Sequence, residues 1–389
     1  MPRISPSSRG GRSPFRRPLT TTEDQSATFI ELFFDLVFVY AVTQTVFLVH
    51  EDLSWAGLGR AVLVFWLVWW AWTQYTWALN SADTAHPAVD AVMLVATSIA
   101  FLMAVAVPDA FGDAGAWFAA TYIVVRAIGL GLYGRVAWDD VTKRAAVRKF
   151  AVLSLGGLAA VAAGGLVDGE ARAWLWAAAL LLDIVAAALA GTAEGWDIRP
   201  DHFGERHGLF VIIALGESLI VAAAGLTGAE LIAQTVAVAV LAVTATAALW
   251  WIYFVTFKPA LDDALSRHLG VERTHFARDA YSFLHFPLVF GVVLVAVAIE
   301  EAVAHPREPL PVGASLALAG GVVLFVGATA AILHRGGYPL ARKRLLILSA
   351  IAAAVGAVHG AAATWSLLVV VLGLLAIAAA ERPARATPR

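Results

Sequence analysis

Residues 28–44 read "TFIELFFDLVFVYAVTQ". The stretch is apolar enough for lipid, yet Glu31 and Asp35 lie inside it, one helical turn apart and on the same face of a helix. A charged residue at the centre of a bilayer costs about 2.5–3.5 kcal/mol on insertion scales. The two acids must therefore face something other than lipid, and the rest of the chain has to supply it.

The composition says what surrounds them. Of 389 residues, 60% are hydrophobic and 14% are charged, and the mean hydropathy is +0.77. A soluble domain carries roughly a quarter charged residues, so the polar residues here are too few to cover a water-facing surface. The net charge is −2, and no basic face exists outside short loops, which excludes a nucleic-acid partner. There is no cysteine. Disulfides, thiolate metal sites and cysteine nucleophiles are thereby excluded.

The apolar residues form blocks. A spanning helix needs about 20 of them, and twelve blocks qualify, near 27–49, 58–79, 88–107, 114–134, 148–167, 171–191, 207–225, 232–257, 280–300, 311–333, 344–358 and 361–380. The eleventh is short. Separators such as "NSADTAHP", "PDAFGDAG" and "HPREPLPVG" carry breakers and charge. No block alternates with period two, which argues against a β-barrel. The predicted fold is an all-α polytopic membrane helix bundle of about twelve transmembrane helices, with the lipid bilayer as its first partner.

Loop charge tests the count. With twelve spans, 23 of the 27 Lys and Arg residues fall in the N-terminal segment, the even-numbered loops and the C-terminal tail. The odd-numbered loops hold only Arg60, Arg172 and Arg307, and Arg126 lies within a block. Basic loops mark the cytoplasmic side, so both termini are predicted to be cytoplasmic. Residues 1–24, rich in Pro, Ser and Arg, read as a disordered basic tail. A signal peptide is the rival for this region. It is disfavoured because the next block is long, contains acids and lacks an A-x-A-like site.

The halves resemble each other. "WLVWWAWTQYTW" ends the second block and "ALWWIYFVTF" lies in the eighth. His86–Pro87 opens the third, and "LHFP" with His285 and Pro287 opens the ninth. Glu31 opens the first and Glu205 the seventh. Residues 25–200 and 201–381 are thus expected to be two six-helix repeats, with 382–389 as a short cytoplasmic tail. An even number of spans per repeat makes the pair parallel, related by an axis along the membrane normal.

At "ELFFDLVFV" (31–39) the chain resembles the bacterial low-temperature-requirement A (LtrA) membrane proteins. "ERHGLFVIIALGESLI" (205–220) and "LHFPLVFGVVLVAVAIEEAV" (284–303) resemble two further blocks of that family, and the similarity covers about residues 24–380. The resemblance implies a multi-pass bacterial membrane protein linked by name to growth in the cold. It implies no biochemical activity, which must be argued from the residues.

Asp35, Arg126, Asp183 and Glu217 sit near the middle of four blocks, and their estimated depths differ by roughly 6 Å. Left facing lipid, they would cost roughly 10–14 kcal/mol by simple addition. One shared polar layer is the expectation, with Asp35 close to Arg126 and to Asp183 or Glu217, and Glu31 as its entrance. The bland alternative is an ion pair that only locks helices. Glu205, Arg206, His207 and His285 lie at block entrances and fit either a proton relay or helix capping. His202 and His207 have no third ligand at metal spacing, so no metal is expected. The fourteen tryptophans fit an interfacial belt and packing, or an aromatic substrate cage. No Walker A or Gly-x-Ser-x-Gly stretch supports ATP drive or serine chemistry, and no cofactor is implied. The leading expectation is a proton- or cation-coupled secondary transporter of a small solute. The alternatives are a structural or sensory membrane protein and a membrane-embedded enzyme.

Overall fold

The computed structural model describes residues 19–20, 25–191, 194–196, 198–227, 233–340 and 342–380. The tail expected at 382–389 and most of that at 1–24 lie outside these residues. Leu19 and Thr20 are described, and Thr20 makes an isolated β-bridge to Ala82.

Among the described residues the chain folds into helices with no β-sheet. The first half holds α1 (Phe29–Glu51), α2 (Trp55–Leu79), α3 (Pro87–Val105), α4 (Gly115–Val136), α5 (Val141–Gly165) and α6 (Gly169–Ala190). The second holds α7 (Pro200–Leu226), α8 (Ala233–Trp251), α9 (Lys258–Arg267), α10 (Gly270–Ala277), α11 (His285–Ala304), α12 (Val312–Arg335), α13 (Arg342–Ala357) and α14 (Ala363–Ala380). π-helical turns at Ile252–Phe257 and Arg278–Phe283 join α8 to α9 and α10 to α11. Eleven helical rods are long and apolar enough to cross a membrane. The sixteen-residue α13 is the short eleventh segment expected at 344–358, which brings the described segments to twelve.

The helix starts follow local chemistry. Thr28 opens α1, where Glu31 Oε2 accepts from the Thr28 backbone N–H and hydroxyl at 2.9 and 3.0 Å. That is the glutamate half of a capping box. Pro200 occupies the first turn of α7, where a missing N–H is harmless. It starts the helix seven residues before the apolar block at 207, and so carries Glu205 and Arg206 inside the helix. Hydropathy alone missed this because those residues are polar.

The outer surface is a belt of large apolar side chains, such as Leu36, Phe47, Leu94, Leu181, Val240 and Leu372. Exposed tryptophans lie near helix ends, at Trp55, Trp117, Trp174 and Trp365 on one side and Trp138, Trp250 and Trp251 on the other, as an interfacial belt requires.

Contacts between loops sort the turns into two ends. At one end, Arg172 donates to the Ala110 and Gly112 carbonyls at 3.1 and 2.7 Å. There too His50 lies 3.4 Å from Glu300, and Ala363 N donates to Glu308 O. At the other end, Lys149 donates to Leu189 O, and Arg335 donates to Asp279 at 3.0 Å. The basic loops gather at this second end. Arg172 is explained as a buried cap on loop carbonyls.

Helix neighbours follow one scheme in both halves. In the first, α1 packs on α2 and α3, α4 on α3 and α5, and α6 on α5 and α2. In the second, α7 packs on α8 and α11, α12 on α11 and α13, and α14 on α13 and α8. The halves meet through α1, α2, α7 and α11. The parallel is incomplete in detail, since Trp70 is 4% exposed whereas Trp251 is 48% exposed.

Candidate functional site

Two fully buried arginines organise the polar interior. Arg206 of α7 lies at the seam between the halves. Its Nη1 is 2.7 Å from Glu31 Oε1, and its Nη2 donates to Asp35 Oδ1 at 2.7 Å. Trp72 Nε1 of α2 donates to the same Asp35 oxygen at 2.8 Å, and His202 Nε2 is 3.1 Å from Glu31 Oε1. The guanidinium also stacks 5.8 Å from the Trp72 ring centroid. One arginine thus meets two carboxylates at contact distance, and a third helix supplies a donor.

Arg126 of α4 lies inside the first half. Its Nη1 donates to Tyr122 Oη at 2.7 Å and lies 3.6 Å from Asp183 Oδ1 of α6. Nε and Nη2, the pair that forms the side-on fork of a guanidinium, make no hydrogen bond to the described residues. Asp183 Oδ2 makes none either. The indoles of Trp66 and Trp70 on α2 are turned toward Asp183. The carboxylate packs against Gly157 of α5, where an added Cβ would sit 2.9 Å from Oδ1. Any larger residue there would push Asp183 away.

The expected residues are therefore paired differently from a single layer. Asp35 meets Arg206 rather than Arg126, and Arg126 meets Asp183. Glu217 accepts from Thr43 Oγ1 at 2.5 Å. It lies eleven residues beyond Arg206 on α7, about 16 Å along the helix, and does not share the Asp35 layer. Glu205 Oε2 accepts from Ala27 N at 2.9 Å. His207 and His285 sit in an aromatic nest with Trp69, Trp72, Tyr253 and Tyr281. The Nδ1 of His207 bonds the Phe203 carbonyl at 2.9 Å, and that of His285 bonds the Ala280 carbonyl at 2.7 Å. A carbonyl only accepts, so Nδ1 carries the proton in both. His285 Nε2 then accepts from the Tyr253 hydroxyl at 2.9 Å.

The roles of His202, Trp72, Tyr122 and Trp66 were not assigned from sequence. Tyr122 and Arg126 stand four residues apart, a spacing that makes helical neighbours, and Thr28 and Glu31 carry the capping-box spacing. His202 and Trp72 had no such signal, because their partners are distant in sequence.

A small half-open cavity of about 40 Å³ adjoins the Arg126 site. Trp70, Trp77, Tyr133, Phe150 and Trp196 supply aromatic walls, and Arg278 is its charged lining residue. Gln74 joins the cavity to the site. Its Nε2 donates to the Arg126 carbonyl at 3.0 Å while its Oε1 makes no hydrogen bond to the described residues.

Residues 26–379 match the bacterial low temperature requirement A protein (LtrA) family. The chain belongs to that family. An uncharacterized protein of Rhizobium meliloti (strain 1021) is 30% identical over 319 residues, covering 79% of this chain and 77% of the relative. No solved structure matches. In this LtrA chain the two polar centres differ in their relation to the halves. The Arg206 centre uses α1 and α7, the first helix of each. The Arg126 centre uses α4 and α6, whose positional counterparts α12 and α14 carry no charged residue before His334 and none at all, respectively.

Proposed function

We propose that this LtrA protein is a secondary carrier of a small solute, with Arg126 and Asp183 as its working charges. The observation that carries this reading is the half-open cavity that ends at Trp70 and Gln74, beside a buried Arg–Asp pair with unused hydrogen-bonding capacity. The Arg206 pair also leaves Nε and Asp35 Oδ2 without a hydrogen bond to the described residues, so it is the longer 3.6 Å separation together with the adjoining cavity that singles out the Arg126 pair. Proton uptake by Asp183 would release Arg126, and that coupling makes the carrier proton-linked. The Arg206 centre, closed on two carboxylates, is a lock between the halves. The matched helix neighbours support two parallel six-helix units, 25–200 and 201–381.

The basic end of the bundle faces the cytoplasm in a plasma membrane, with both termini on that side. A reporter at the α4–α5 turn should read cytoplasmic and one near Gly112 external; the reverse would overturn this orientation. Proteoliposomes test the carrier. Asp183→Asn should insert, melt close to the parent protein and lose pH-driven solute flux. Unchanged flux would sink the role of Asp183. A parent protein that moves no solute under any ion gradient would sink the carrier.

A further inference from the structure

We infer that the groove between α3 and α4, at the basic end of the bundle, is a binding site for an anionic phospholipid. The phosphate sits at the rim and the first part of an acyl chain lies along the two helices. This site is separate from the Arg126 centre and does not depend on the carrier reading.

The space has the right size and opening. The groove holds about 430 Å³, within the range of small-molecule sites. Val89 and Val92 of α3 form one wall, and Ile128, Gly131 and Leu132 of α4 form the other. His86 and Val92 are six residues apart, and Arg135 and Ile128 seven. Both walls therefore run about 10 Å from the rim toward the membrane interior. Gly131 is exposed, and an added Cβ there would meet nothing within 4 Å. The groove thus opens sideways, onto lipid, between apolar walls.

The rim calls for an anion. His86 caps α3, its Nδ1 accepting from Ala88 N at 3.0 Å. A nitrogen that accepts carries no proton, so in the neutral ring the proton is on Nε2. Nε2 makes no hydrogen bond to the described residues, yet His86 is only 3% exposed and lines the groove. A buried donor without an acceptor is costly, and a phosphate oxygen supplies the acceptor. Arg135, in the last turn of α4, is the charged lining residue. Among the described residues no acid lines the groove. Acids of the adjacent turns bond elsewhere: Asp83 Oδ1 accepts from Ala85 N at 3.1 Å, and Asp140 Oδ1 from Lys143 N at 2.9 Å. A guanidinium and an N–H at one rim match the oxygens of a phosphodiester.

The depth selects a lipid over free phosphate. Trp138, three residues beyond Arg135, is one of the exposed tryptophans of this end, which places the rim at headgroup level. Leu19 completes the rim, held by the bond from Asp83 N to its carbonyl at 2.8 Å. Basic pockets between membrane helices at this level suit anionic headgroups.

The test is native mass spectrometry of purified, delipidated full-length protein, titrated with phosphatidylglycerol or with phosphatidylcholine of the same chains. Phosphatidylglycerol should bind about fivefold tighter, the effect of one arginine at a membrane surface. Arg135→Gln should bring the two lipids to parity, and Arg135→Lys should keep part of the difference. His86→Asn keeps an oxygen for the α3 cap and should weaken phosphatidylglycerol less than Arg135→Gln does. Gly131→Leu fills the groove where an added side chain meets no neighbour, so it should melt like the parent and lose the preference. Melting curves are run on every variant, and Gly131→Leu carries the test if Arg135→Gln does not fold. Equal binding of the two lipids by the parent overturns the inference. So does a preference unchanged in both Arg135→Gln and Gly131→Leu. Displacement of phosphatidylglycerol by millimolar inorganic phosphate would mark a site for a soluble anion and would overturn the lipid assignment.

Discussion

The Arg206 and Arg126 centres set the same chemistry, guanidinium against carboxylate at 0% arginine exposure, in two different frames. Arg206 sits between the halves and meets two carboxylates at 2.7 Å. Arg126 sits within one half, meets one carboxylate at 3.6 Å, and its side-on fork makes no hydrogen bond to the described residues. A buried charge is costly unless it is paired and hydrogen-bonded. In charge pairing the first centre is the more complete and is suited to hold helices together, although Arg206 Nε and Asp35 Oδ2 make no hydrogen bond to the described residues. The second is paired once and more loosely, beside a cavity. Retained imperfection of this kind is expected where structure serves function.

The largest effect expected is at Arg206. Arg206→Met leaves Glu31 and Asp35 buried against each other, and should cost about 3–5 kcal/mol. It should show as loss of folded protein from the membrane and a lower melting temperature in detergent. Adding Glu31→Gln and Asp35→Asn should recover much of the loss, since the unpaired charges are then gone. A single variant that melts like the parent would break the comparison at its stronger side.

Next come the two aspartates. Asp35→Asn weakens charge-assisted bonds to Arg206 and Trp72 and should cost about 2 kcal/mol. Asp183→Asn keeps an oxygen for Arg126 across a pair already 3.6 Å wide, and should cost less than about 1 kcal/mol. Equal losses in chemical denaturation would mean that the centres do not differ as their geometry indicates.

Tyr122→Phe removes the one hydrogen-bond acceptor of Arg126 Nη1 and should cost about 1 kcal/mol. Combined with Asp183→Asn the losses should exceed their sum, because either partner alone still serves Arg126. Strict additivity would show that the two do not share the guanidinium.

The smallest effect belongs to an acid outside the spans. The hydroxyl and backbone N–H of Ser54 hold the Asp52 carboxyl below its ordinary value of 3.8. Its stabilisation is therefore complete above pH 3.8 and is lost as pH falls through the lower folded value. Asp52→Asn should therefore lower stability by a small, constant amount above pH 3.8 and flatten the acid limb below it. A loss at neutral pH as large as that of Asp35→Asn would show that an exposed carboxylate matters as much as a buried one.

The amount that could be read without coordinates differed between fold and site. Twelve apolar segments were legible because lipid imposes length and composition on each helix locally. The short segment near 344–358 was legible for the same reason and appears as α13. That Asp35, Arg126 and Asp183 face the interior was legible from cost alone. Which acid meets which arginine was not. The apolar block puts Arg206 at an entrance because it begins after that residue, whereas Pro200 starts α7 nearly two turns earlier.

The sequence by itself determined that this protein is a multi-pass helical bundle with charges buried in its interior. Each helix satisfies its own backbone, and burial cost is a property of each residue, so neither conclusion needs a partner to be named. Only the tertiary structure decided that Arg206 closes on Glu31 and Asp35, that Arg126 is shared by Tyr122 and Asp183, and that a cavity stops at Gln74. The physical reason is rotation and depth. Helical periodicity gives the face a residue occupies on its own helix, but helix packing sets which faces meet and at what height, and a shift of one turn exchanges one partner for another.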